Sequence, residues 1–146
     1  MEPSYENVEA VICPDRSTRW ARPLFMTSVS AGFPSPAESY IEGRLDLNRY
    51  LIKHPVATFY VRVAGDSMVG AGIHPGSILV VDRAVEAEDG DIVVARINDE
   101  LCVKRLRVRQ GRIWLMPEND RFQPIEVIES MDFEVWGRVM HAIRSY

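Results

Sequence analysis

The chain has 146 residues, 47% of them hydrophobic and 26% charged, with a net charge of −4. That balance predicts one globular domain and an arm, able to bury roughly two-thirds of the surface its unfolded form exposes. It argues against a protein that coats nucleic acid by neutralising phosphates, and no apolar run reaches the roughly 18 to 20 residues of a membrane-spanning helix.

Residues 1 to about 36 carry Pro3, Pro14, Pro23, Pro34 and Pro36 and no sustained period of 2 or 3.6. They are expected to form an extended or mobile arm. The N-terminus has no basic stretch followed by an apolar one, so no secretory signal is expected. The arm is also too short for a helix-turn-helix domain, which needs two or three helices of about 11 residues each. A short helix is expected after Asp46, a suitable N-cap for Leu47 to Lys53, with Pro55 ending it.

From there the pattern is that of strands. ATFYVRVAG (57–65), SILVVD (77–82), DIVVARI (91–97), LCVKRLRV (101–108), RIWLMP (112–117) and EVWGRVMHAI (134–143) are β-branched or aromatic runs. Pro75-Gly76, Asp89-Gly90, Asn98-Asp99 and Gln110-Gly111 are turn signals between them. Short strands at this spacing, without long helices, predict an all-β body.

Two residues carry potential chemistry. Ser67, in GDSM (65–68), follows an apolar strand and precedes a loop containing Gly70, Gly72 and Gly76. A serine at such a junction is expected to be exposed, with backbone N–H groups near enough to face a developing oxyanion. Lys104 lies in LCVKRLRV, where strand parity puts it with Cys102, Leu106 and Val108, and puts Arg105, Arg107 and Arg109 on the other face. It is the one charge on that apolar face. Each residue alone has an ordinary explanation: a turn serine bonding the backbone, and a lysine whose stem runs out to water.

Together they suggest more. A serine hydroxyl is a weak nucleophile until a neighbouring base accepts its proton. Lysine serves as that base only when neutral, and at an ordinary pKa of about 10.4 only about one in a few thousand is neutral at pH 7. A serine–lysine pair therefore needs a lysine in apolar surroundings, where burial disfavours the charged form. Cys13 and Cys102 are too few for a disulfide framework, and His54, His74 and His141 lack metal-ligand spacing. A soluble, cytoplasmic protein is expected, with no metal or other cofactor.

The ordered set GDSM, IHPGSILVVD, GDIVVARI, LCVKRL, RIWLMPEN and VWGRV resembles the UmuD-type proteins of bacterial SOS mutagenesis, which share a self-cleaving peptidase domain with the LexA repressor. The resemblance spans about residues 25 to 144 and includes AGFPSPAESYIEGRLDLNRYLIKHP (31–55). The interval of 37 residues between Ser67 and Lys104 fits the dyad of that family.

What the resemblance implies is specific. It makes Ser67 the nucleophile, Lys104 the general base, and the backbone N–H groups of Asp66 and Ser67 the oxyanion hole. The scissile bond would be Ala31–Gly32 in SVSAGFPSP, dividing an arm (1–31) from a peptidase and dimerisation domain (32–146). Ala31 suits a shallow pocket, Gly32 gives the backbone freedom to enter a narrow cleft, and Val29 offers an apolar anchor. The implied partners are a second copy in a homodimer, the RecA–single-stranded DNA filament that stimulates cleavage, a UmuC-like Y-family polymerase subunit, and the replicative sliding clamp. Neither a membrane nor strong direct DNA binding is implied.

The remaining features are expected to be structural. Trp114, Trp136, Phe59 and Tyr60 suit a core or subunit interface better than a base-stacking platform. Arg105, Arg107, Arg109 and Arg112 most simply suit a solvated strand face, with a protein partner or DNA backbone as the alternative contact. Three rival readings differ in class. A LexA-like transcriptional regulator needs a DNA-binding domain ahead of the cleavage site, a signal peptidase needs a membrane anchor, and a non-cleaving dimeric binding module would leave the chain intact.

Overall fold

A computed structural model describes residues 4–5, 8–14, 21–25 and 41–146. Contacts divide the chain into two units, one of Met1–Pro14 with His54–Tyr146 and the other of Asp15–Lys53. The expected cleavage position, Ala31–Gly32, lies outside the described residues, as does Val29.

The larger unit is a nine-stranded sheet, as the all-β expectation required. Its strands are β1 (Ser4–Tyr5), β2 (Val8–Ile12), β5 (Thr58–Val63), β6 (Ile78–Asp82), β7 (Ile92–Ile97), β8 (Glu100–Arg109), β9 (Arg112–Met116), β10 (Ile125–Val127) and β11 (Phe133–Ile143). In the smaller unit β3 (Ala21–Phe25) pairs with β4 (Ile41–Asp46), followed by the short helix α1 (Leu47–Leu51). The cap of α1 is as expected: the Asp46 carboxylate accepts from the Asn48 backbone N–H at 3.0 Å.

The sheet order is β10-β9-β8-β7-β11-β6-β5-β2, with β1 also joined to β8. Only β1 runs parallel to its neighbour. The six predicted strands are all present. Their turns follow from local chemistry: Gln110 and Gly111 have φ of 50° and 76°, so this two-residue link closes the β8–β9 hairpin with the twist such hairpins favour.

Within the stretch expected to be extended or mobile, Val8–Ile12 pairs along β5 and Ser4–Tyr5 along β8. A strand two to five residues long is too short to display a period, and pairing with a long neighbour supplies its hydrogen bonds.

Two apolar clusters build the core of this unit. One gathers Phe59, Val61, Val63, Met68, Ile73, Leu79, Val81, Val94, Leu101 and Val103. The other gathers Val93, Ala95, Cys102, Leu106 and Leu115. Successive residues of β7 and β8 alternate between the clusters, so the first half of β8 is buried on both faces. Each buried valine contributes about 1.5–3 kcal/mol relative to an exposed one. That apolar layer is what sets the surroundings of the charge on β8.

Candidate active site

Lys104 sits in the middle of β8, opposite Val93 of β7 and beside Val103, both fully buried. Its own exposure is 2%, as low as that of any ionisable side chain among the described residues. The stem does not run out to the surface. The amine ends 2.9 Å from the Ser67 hydroxyl, to which it donates a hydrogen bond. The ordinary fate of a lone lysine, a stem that runs out to water, is thus set aside.

Ser67 differs from expectation in one respect. It is 3% exposed, where a serine at a strand-to-turn junction was expected to face water. The turn after β5 does not end in an open loop. It runs into the one-turn helix Val69–Ala71, and a later segment of the chain closes on it. Glu118 N–H donates to the Ser67 carbonyl at 2.8 Å, and Gly70 N–H donates to the Glu118 carbonyl at 2.8 Å. The approach is tight: a Cβ on Gly70 would stand 2.6 Å from the Glu118 carbonyl oxygen, so only glycine fits there without a shift.

The Asp66 carbonyl is held as well. It accepts from Nδ2 of Asn119 at 3.0 Å and from the Val69 N–H at 3.4 Å. On the other side of the segment, Arg105 donates from Nε to the Glu118 carboxylate and from its terminal nitrogen to the Gly90 carbonyl at 2.6 Å. Arg105 is the next residue to Lys104 on β8. The strand that carries the lysine therefore also grips the segment that closes over the serine. Glu118 and Asn119 stand within RIWLMPEN, where nothing local marks them for this role. Their position after β9, 51 and 53 residues from their partners, is visible only once the chain is folded.

Arg105 is one of several arginines of β8 and β9 that face acids. Arg107 reaches Asp89 at 4.0 Å and Arg112 reaches Glu126 at 3.8 Å. Phe59 and Trp136 meet edge to face at 6.3 Å between ring centroids, and Trp136 packs on the first cluster, as expected of core aromatics.

A His–Asp pair also exists, with Nδ1 of His54 2.6 Å from the buried Asp82 carboxylate. It lies at the start of β5, where Thr58 pairs with Asp82, whereas Ser67 follows the other end of that strand. The amine of Lys104, by contrast, lies within hydrogen-bonding distance of Ser67. Among the described residues, no group of three or more His, Cys, Asp or Glu is placed to hold a metal. No helix among them is long and apolar enough to cross a membrane.

A serine held against a lysine inside an all-β body is an arrangement suited to serine peptidases. Residues 23–140 match the family model described as Peptidase S24-like, and the chain belongs to that family. It is 46% identical over 123 residues to Protein MucA of Salmonella typhimurium, covering 83% of each chain. Protein SamA of Salmonella typhimurium strain LT2 is 46% identical over 123 residues, covering 84% of this chain and 87% of its own. Protein ImpA of Salmonella typhimurium is 44% identical over 130 residues, covering 89% and 88%. Within the family, the chain is of the UmuD type associated with SOS mutagenesis.

Proposed function

We propose that the protein is a self-cleaving serine peptidase of the SOS response that cuts its own Ala31–Gly32 bond. The observation that carries this reading is the 2.9 Å contact between the buried Lys104 amine and the Ser67 hydroxyl. Ser67 Oγ attacks the Ala31 carbonyl carbon while neutral Lys104 Nζ takes the hydroxyl proton. The carbonyl oxygen becomes an oxyanion held by the backbone N–H groups of Asp66 and Ser67. Collapse breaks the Ala31–Gly32 bond, and Lys104 returns the proton to the leaving Gly32 nitrogen. Water, deprotonated by the same amine, then cleaves the Ala31 ester and restores Ser67. The products are residues 1–31 and 32–146.

The arm reaches the serine by docking, so the fraction of time it is docked limits the rate. A RecA–single-stranded DNA filament acts by favouring the docked state. The processed chain forms a cytoplasmic homodimer that joins a UmuC-like Y-family polymerase subunit at the sliding clamp for translesion synthesis. The match to MucA, SamA and ImpA supports this setting. The test is to incubate the purified chain with and without activated RecA filament and to measure product masses. Fragments 1–31 and 32–146 are expected, faster with the filament. A chain that stays intact at every pH and with the filament would overturn the reading in favour of a non-cleaving binding module.

A further inference from the structure

Three hydrogen bonds tie the Ser67 turn to the segment after β9, and two of them are backbone to backbone. Nearly any residue at position 118 would make those two. The third depends on a side chain, the Asn119 amide, whose Nδ2 donates to the Asp66 carbonyl at 3.0 Å. That amide is itself oriented. Its Oδ1 accepts from the Arg121 backbone N–H at 3.0 Å, which turns the NH2 end toward Asp66. The reverse orientation would set two acceptors face to face and two donors face to face. The Asn119 carbonyl in turn accepts from the Phe122 N–H at 3.1 Å, so the residue is fixed from both sides.

A peptide unit is planar, with its C=O and N–H pointing opposite ways. Holding the Asp66 carbonyl therefore aims the Ser67 N–H, which belongs to the same peptide. Donation to that carbonyl also polarises the unit and strengthens the N–H as a donor. We propose that Asn119 is a positioning residue for self-cleavage: through the Asp66 carbonyl it aligns and polarises the Ser67 N–H that receives the oxyanion. It touches none of the reacting atoms. The inference rests on the Ser67–Lys104 reading above and adds a residue to it.

The test compares spontaneous self-cleavage of the full chain, from about pH 7 to 10, in the parent, Asn119→Asp and Asn119→Ala. Asn119→Asp has the same size and still accepts from the Arg121 N–H, but its carboxylate offers no donor to Asp66. Both variants should lower the rate by about 10- to 100-fold, the scale of a misplaced catalytic group. In Asn119→Ala, which brings no charge near Lys104, the shape of the pH profile should match the parent, whereas the added carboxylate of Asn119→Asp favours the charged amine. Urea midpoints, measured in a Ser67→Ala background, should show Asn119→Asp folding cooperatively near the parent. Cleavage of either variant at the parent rate would overturn the proposal, and so would a moved pH profile in Asn119→Ala. Loss of cooperative unfolding in Asn119→Asp would also overturn it, since the side chain would then hold the fold instead of the turn. A parent that never cleaves would instead sink the dyad reading itself.

Discussion

The Lys104 amine stands 2.9 Å from the Ser67 hydroxyl, across 37 residues of chain, and both side chains are almost fully withdrawn from water. Burying an amine is unfavourable unless something offsets it. Here the valines around β8 supply the burial and the serine supplies the hydrogen-bond partner. The arrangement is poor for stability and good for a proton transfer.

Removal of either partner should therefore separate activity from stability. Ser67→Ala should abolish cleavage and keep the fold, and Gly32→Glu should block cleavage by placing bulk and charge where the backbone enters the cleft. Lys104→Met keeps the stem and drops the amine. In a Ser67→Ala background it should unfold at an equal or higher urea concentration, with a gain of up to about 2 kcal/mol. A fragment beginning at Gly32 in the mass spectrum of Ser67→Ala would show that another group is the nucleophile.

The base must be neutral to accept the serine proton. Spontaneous cleavage should accordingly rise with pH. Initial rates across about pH 7 to 10 are the measurement. A flat profile, or residual cleavage in Lys104→Met, would assign the proton to some other acceptor.

Gly70 lets the serine turn and the Glu118 segment meet, because a Cβ there would stand 2.6 Å from the Glu118 carbonyl oxygen. Gly70→Ala should push the two apart, weakening both backbone bonds that join them. The expected loss is about 1–3 kcal/mol by urea unfolding, together with slower cleavage. Unchanged stability and unchanged rate would mean that the closing segment plays no part in holding Ser67.

On the surface, Arg96 holds the Asp132 carboxylate by hydrogen bonds of 2.8 and 3.3 Å and also contacts Glu134 at 3.2 Å. The hydrogen bond first, and the opposite charge second, keep the Asp132 carboxyl below the usual range. A carboxylate whose folded value lies below its unfolded one adds stability above the unfolded value, and that contribution fades as pH falls through the folded one. Asp132→Asn should therefore lower the urea midpoint slightly near neutral pH and converge on the parent in acid, as the pH falls through the folded value. A gap that persists at low pH would trace the effect to shape instead of charge.

Much of this was legible in the chain itself. The β-branched runs between Thr58 and Ile143, divided by glycine- and asparagine-containing turns, specified six strands because local sterics and period act within a few residues. Asp46 marked the start of its helix for the same reason. The parity of β8 put Lys104 among apolar neighbours, and the ordered motifs pointed to the family. Other features depended on distant partners. Val8–Ile12 and Ile125–Val127 are strands because β5 and β9 lie alongside to receive their hydrogen bonds. Ser67 is buried because Glu118 and Asn119 return to its turn, and Lys104 meets it because β8 carries the amine there. Such contacts rest on chain segments dozens of residues apart. Local propensity, which decides strand and turn, has no reach over that distance: the family resemblance paired Ser67 with Lys104, and the folded sheet is what brings the amine within 2.9 Å of the hydroxyl.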